Sequence, residues 1–418
     1  MPQTPATRPI PSIAAQVTMF VVTSIAFVGS YYVYDSIAPV AELLSQQLKL
    51  SDTQIGTLNA IYSAPNILMT LIGGVLVDRF SARSVTLVTA VISLAGAALT
   101  ALGSQFPVMA VGRLLFGIGA ETWNVALTVA IAQWFGGRWF ALALAITISA
   151  GRLGSYLADR STSFASDVYA QGWQPPLWLA CGFAVLCLAG SAAYFWLDRR
   201  EAARGTLQIA PPADRIDWKN LLRFGAGFWL IVGISTAFYS VIFPFRSTFA
   251  IKYLQDAHGM SLEAAGTINS YVFLAAVFAT PVFGFLTDRL RRHALLLVIG
   301  SLLLPLSFVL VPSSDVWLST VLLGISFSLV PAVLWPAVAR YVAPEQLGTA
   351  YGLMTVLQNA GVTIANLVAG YLNDAGGASA MNPGGYAPML WFFGLLGLSA
   401  FACATVLDIR EPRLKVIA

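Results

Sequence analysis

The sequence predicts an all-α membrane protein with twelve transmembrane helices in two pseudo-symmetric six-helix halves. Composition, the lengths of the apolar runs and an internal repeat each point there. Of 418 residues, 57% are hydrophobic and only 10% are charged, with a mean hydropathy of +0.75. A soluble domain carries about 25% charged residues, so most of this surface must face something other than water. Apolar runs near the ~20 residues that cross a bilayer recur along the whole chain. Each must be a helix, because only a helix satisfies its own backbone polar groups in hydrocarbon. The string Gly74-Val-Leu-Val-Asp78-Arg79 returns 210 residues later as Gly284-Phe-Leu-Thr-Asp288-Arg289, and Gly117-Ile returns 207 residues later as Gly324-Ile. An offset of half the chain is what two six-helix halves produce, and such repeats characterise transporters.

In chain order the spans fall at 17–46, 54–78, 83–103, 107–131, 138–165, 175–197, 221–253, 262–287, 294–312, 315–340, 346–373 and 386–408. Spans near 30 residues are long enough to tilt or to project beyond the bilayer. The Pro-rich start before the first span lacks a signal-peptide pattern, so that span is expected to stay as an anchor. The stretch 198–220, with Pro211-Pro212 and mixed charges, reads as a cytoplasmic linker. It separates an N-terminal half, residues 1–197, from a C-terminal half, residues 221–418.

Charge orients the chain. Of its 23 Lys and Arg residues, only Lys49 and Lys252 fall on the side of the odd-numbered loops, and Arg113, Arg152, Arg160 and Arg246 lie deeper inside spans. The rest sit at the termini or in even-numbered loops, so the positive-inside rule puts both termini in the cytoplasm. The net charge of +4 is spread over short loops and does not suggest nucleic-acid binding. Cys181, Cys187 and Cys403 lie in apolar segments, too few for a disulfide framework. No H-E-x-x-H, G-x-S-x-G or Cys/His metal spacing occurs. No enzyme activity, catalytic residue, metal or cofactor is therefore expected. The expected partners are a small-molecule substrate and the bilayer, with the chain a monomer.

The loop string extends to Gly74-x-x-x-Asp78-Arg79-x-x-x-Arg83, the signature of the major facilitator superfamily, which the chain resembles. Its second copy carries Gly284, Asp288 and Arg289. The glycines allow close helix approach. The aspartates suit the positive N-terminal end of a neighbouring helix. In the superfamily such contacts latch the cytoplasmic side, so the resemblance implies gating roles for these seven residues.

Charges inside the membrane carry most of the functional information. An ionisable side chain at mid-bilayer costs roughly 2.5–3.5 kcal/mol or more, which makes it a functional candidate by default. Glu121 in span four and Arg152 in the antiparallel span five each lie ~21 Å along their helices, close to the same depth. One anion and one cation thus lie near the midplane, as functional candidates or as an ion pair that locks two helices.

A more specific resemblance rests on Gly29-Ser-Tyr31-Tyr-Val-Tyr34-Asp35, Tyr62-Ser-Ala-Pro65-Asn66, Gly112-Arg-Leu-Leu-Phe-Gly-Ile-Gly-Ala-Glu121 and Ala150-Gly-Arg152-Leu-Gly-Ser155. Phe243-Pro-Phe245, Ile268-Asn269-Ser270, Leu334-Trp335-Pro336 and the run from Gln346 through Gln358-Asn359 continue it. These strings resemble the major facilitator superfamily domain-containing protein 1 family of lysosomal dipeptide uniporters. The resemblance implies that Glu121 engages the amino terminus of a dipeptide, Arg152 its carboxylate, and that transport is uniport by alternating access. The animal proteins' targeting and glycosylated loops are missing, which implies a relative in a bacterial cytoplasmic membrane.

Tyr31, Tyr34, Tyr62, Asn66, Tyr239, Asn269, Trp335, Gln358 and Asn359 lie at depths suited to lining a cavity, although polar groups between helices also serve as glue. Arg246 departs from the family's apolar pattern; it either pairs with Asp35 or selects an anionic substrate. Arg113 resembles a proton-antiporter arginine only loosely. Asp159-Arg160 reads as a structural or gating pair. His258 and His293 fall in loops, so proton coupling would need Glu121, Asp35 or Asp159. A proton-coupled carrier of organic anions or drugs is the alternative function.

Overall fold

The computed structural model describes residues 11–135, 139–206, 224–290, 292–313 and 315–414. Among them the regular structure is helical apart from one isolated bridge, Ser379 to Asn382. Ten helices are long and apolar enough to cross a membrane, or eleven when Asp52–Met69 and Ile72–Phe80 are joined across a bend. The other long helix, Phe140–Phe164, carries Arg152, Asp159 and Arg160. It packs between spans one and eight, within the bundle.

Three spans are interrupted where the sequence reads as continuous. Span one is a helix Ile13–Asp35, a short turn Ala38–Val40 and a helix Ala41–Leu48. Pro39 has no N–H to continue the ladder, and Ser36 Oγ turns back to the Val33 carbonyl at 2.8 Å. Span two breaks before Pro65, between Asp52–Ser63 and Asn66–Phe80. Span seven widens into a π-helical segment, Phe245–Phe249, directly after Pro244. Such segments often mark functional sites. Span six continues to Ala203, past its expected end at 197. Buried Asp198 holds that extension to the bundle, accepting from Trp134 Nε1 at 2.9 Å and Tyr194 Oη at 3.3 Å. Most of the expected linker, 207–220, lies outside the described residues.

The helix pairings expose the repeat. Span one packs on spans five and six, as seven packs on eleven and twelve. Span three packs on four and six, as nine packs on ten and twelve. Between the halves, two packs on eleven as eight packs on five. These last two seams need small residues. A methyl group at Gly56 would strike the Asn366 carbonyl, and one at Gly266 would strike the Asp159 carbonyl and Thr162. The outer surface is apolar: Val17, Val21 and Ile25 on span one, and Phe278, Val282 and Phe285 on span eight, are exposed. They face lipid, where no hydrophobic penalty applies.

Polar bonds join the halves at the outer end, the end remote from the termini. Asp374 on span eleven accepts the amides of Asp52 and Thr53 at 2.8 and 2.9 Å. It thus caps the first turn of span two, whose free N–H groups and positive dipole end favour a carboxylate. Lys252 on span seven reaches Asp52 at 2.7 Å, and Asn373 donates to the same carboxylate at 2.8 Å. Asn59 and Asn269 occupy equivalent places in the two repeats. Asn59 donates to the Ser247 carbonyl at 2.9 Å, and Asn269 to Asp159 at 3.0 Å.

Candidate functional site

Between the halves lies a cavity of about 190 Å³. Span one contributes Ser30, Tyr31 and Tyr34; span two Tyr62, Ser63 and Asn66; span four Glu121 and Asn124. The second half supplies Phe243, Thr355, Gln358, Asn359 and Val362. Seven of the residues expected at the site are thus brought together: Tyr31, Tyr34, Tyr62, Asn66, Glu121, Gln358 and Asn359.

The broken second span sets the key contacts. Tyr62 and Asn66 flank the break at Pro65, so both reach the cavity wall. Tyr62 Oη donates to Glu121 Oε1 at 2.7 Å. Asn66 Nδ2 donates across the cavity to Asn359 Oδ1 at 3.2 Å. Gln358 Oε1 accepts from Ser235 Oγ at 3.1 Å, which turns its amide donors away from that partner.

Arg152 is placed differently from its expected position on the cavity wall. Its guanidinium carbon lies 4.8 Å from the centre of the Phe327 ring, 5.8 Å from those of Phe243 and Phe273, and 6.0 Å from that of Tyr31. Tyr31 and Phe243 are themselves cavity wall, so the charge sits one ring behind it. Ring faces attract the cation but fill none of its hydrogen-bond sites, and Nη1 is buried without a partner. Among the described residues no ion pair joins Arg152 to Glu121, so the simple helix-locking pair is absent.

Several other expectations change. Asn269 does not line the cavity: it is buried and donates to Asp159 Oδ2 and, at 3.1 Å, to the Arg246 carbonyl. Tyr239 and Trp335 form a layer behind the wall, with Trp335 Nε1 donating to Tyr239 Oη at 3.1 Å. Depth along a helix, the signal used for these three, does not fix which way a side chain points. Arg113 is a structural cap. Its guanidinium donates to the carbonyls of Val33, Tyr34 and Leu58 at 3.1–3.4 Å and to Asn59 Oδ1 at 2.5 Å. The break in span one frees the Tyr34 carbonyl and leaves that of Val33 to Ser36 and the guanidinium, and a cation suits a helix C-terminus.

Arg246 pairs with Asp35, one of its two expected roles, at 2.9 Å, and also with Asp159 at 2.5 Å. It is fully buried and holds no free surface toward the cavity. Asp159 and Arg160 do not pair with each other, since Arg160 instead reaches Ser163 and Thr267. His258 and His293 end and begin helices rather than sitting in loops. Asn124 was not anticipated, although it stands one helical turn from Glu121, a spacing that puts both on one face. Thr355 stands likewise one turn before Gln358 and Asn359.

At the end bearing the termini, Asp78 and Arg79 are exposed, and Arg83 bonds Asp198 within its own half at 3.4 Å. Gly74 and Gly284 have open space around them. Arg289 is exposed, and the Asp288 side chain lies outside the described residues.

The Major Facilitator Superfamily profile matches residues 23–251 and 245–417. The lysosomal dipeptide transporter MFSD1 of Danio rerio is 31% identical over 369 residues, covering 84% of this chain and 78% of that protein. Its Homo sapiens counterpart is 30% identical over 363 residues, with the same two coverages. The probable sulfoacetate transporter SauU of Cupriavidus necator is 25% identical over 401 residues, 88% of each chain. A solved bacterial homolog of the human lysosomal transporter Spinster shares the fold with a TM-score of 0.73 at 15% identity, covering 97% of this chain and 98% of that one.

Proposed function

The chain belongs to the major facilitator superfamily, and from that premise we propose that it carries small zwitterionic solutes, dipeptides foremost, by alternating access. Glu121 holds the ammonium end and Arg152 the carboxylate end. The observation that carries this reading is the separation of the two charges. Each faces or backs the same cavity, neither neutralises the other, and Arg152 keeps an unfilled donor. A dipeptide carboxylate would fill that donor once Tyr31 or Phe243 swings aside. Between the ends, the amides of Asn66, Asn124, Gln358 and Asn359 suit a peptide bond, which needs one acceptor and one donor. An organic anion is the second reading, supported by the lone cation at Arg152; Glu121 opposes it.

In this reading the carrier is a monomer in a bacterial cytoplasmic membrane, with both termini inside as the loop charges support. The sealed outer end then corresponds to an inward-open state, in which the cytoplasmic latch is released and Asp78 and Arg79 are free. Asp78→Asn should leave this state intact and deplete the outward-open one. Accessibility labelling from the two sides checks this, and unchanged labelling would remove Asp78 from the latch.

Blocked peptides test the cargo. The thermal shift of the purified protein should be large with Ala-Ala and lost with both acetyl-Ala-Ala, which lacks the ammonium, and Ala-Ala-amide, which lacks the carboxylate. Equal shifts for all three would sink the two-ended site. A shift with lactate and none with Ala-Ala would favour the anion carrier.

A further inference from the structure

We propose that Asp35 and Asp159, bridged by Arg246, form a site that binds one proton each time the two halves close at the outer end. All three side chains have no solvent exposure. Arg246 contributes one positive charge against two carboxylates. Asp35 uses only Oδ1 on the guanidinium, and Asp159 only Oδ2, which it shares with Asn269. The remaining oxygens, Asp35 Oδ2 and Asp159 Oδ1, are buried with no partner. A carboxylate stripped of water with half its acceptors empty is costly, and protonation is the usual escape.

Among the described residues no other cation pairs with either carboxylate, Arg152 included, although it lies 5.8 Å from the centre of the Phe273 ring that also covers Arg246. Arg113, the nearest further cation on span four, spends its donors on three carbonyls and Asn59. Arg160, next to Asp159, points to Ser163 and Thr267. Tyr31, Tyr32, Tyr34 and Tyr169 are further neighbours, phenols that bring no positive charge to the carboxylates. Lys252 lies further out, with Asp52 at 2.7 Å, Asp256 at 3.7 Å and Glu42 at 3.8 Å. The ring of Phe273 covers the guanidinium at 3.3 Å and keeps water off that face.

The two carboxylates and the guanidinium belong to opposite halves. Outward opening withdraws Arg246 and Asn269 from Asp35 and Asp159 and admits water. The shared proton then leaves to the outer solution. Closing takes one proton back onto one of the two vacant oxygens. Low outer pH therefore holds the outer end shut, and rising pH releases it. The proton binds and leaves on the same side, so the site controls the gate whatever solute is carried.

Spin labels at the exposed outer positions Gln105→Cys and Ala380→Cys would report the gap by pulsed dipolar spectroscopy in nanodiscs. Cys181, Cys187 and Cys403 would be replaced in that background. The outer-open population should rise about tenfold per pH unit over part of the range from about pH 5 to about pH 9, as binding of one proton requires. Asp35→Asn or Asp159→Asn should remove that dependence, because an amide imitates the protonated acid. Glu121→Gln, which removes the cavity's own carboxyl, should keep it. A flat profile in the parent, a slope surviving in both Asn variants, or its loss in Glu121→Gln would each overturn the proposal. If either Asn variant fails to fold, the parent and Glu121→Gln profiles decide.

Discussion

Arg152→Ala should abolish solute binding, and Glu121→Gln should do the same, while both proteins remain folded. Each change removes one charge-assisted bond to the cargo and strands the cargo's own charged end in a dry site. Truncating one side of a buried charged pair costs about 2–5 kcal/mol, or roughly 30-fold to several-thousand-fold in affinity. Lysine at 152 should not rescue, since a point charge cannot reproduce a planar fork held among four rings. Folding should be spared because neither residue is paired with the other. Isothermal titration with Ala-Ala, beside a melting curve, separates the outcomes. Retained affinity in either variant would dissociate that residue from the cargo, and a collapsed melting temperature would return it to a structural role.

Arg113→Leu should have the opposite signature. It removes a fully buried cation that satisfies three carbonyls and Asn59. The Tyr34 carbonyl and Asn59 Oδ1 would be stranded, and since unsatisfied buried groups cost about 1–3 kcal/mol each, a stability loss on the order of 2–5 kcal/mol is the expected outcome. Whatever fraction folds should bind cargo normally, because Arg113 faces span one's broken backbone and not the cavity. A melting temperature equal to the parent's would refute the capping role. Weakened binding at unchanged stability would restore Arg113 as a functional residue.

These two arginines show how far the sequence carries. Both are cations inside apolar spans, and the rule that such residues are functional treats them alike. What separates them is a backbone break at Ser36, which leaves carbonyls for Arg113 to satisfy and none for Arg152. A break of that kind has a weak sequence trace, here Pro39 alone. Glu121 was legible because a lone carboxylate in a glycine-rich span stands out. The fold was legible for a simpler reason, since lipid permits few structures and the loop repeat divides the chain. Asn269 turns away from the cavity despite its depth, because depth is encoded by residue number, whereas direction depends on how the helices turn against each other. Asp35 and Arg246 lie 211 residues apart in sequence, and the interrupted spans one and seven bring them into contact.

The seams at Gly56 and Gly266 bear on more than packing. At both, one half's backbone touches the other half only because a hydrogen stands where every other residue has carbon. A single methyl group there is a doorstop. It would wedge the outer end apart while leaving the cavity, its charges and the cytoplasmic loops chemically intact. Transport would cease, but recognition would persist toward one side of the membrane. A carrier held in that way is a receptor, so in this architecture the difference between the two trades is about the volume of one carbon atom.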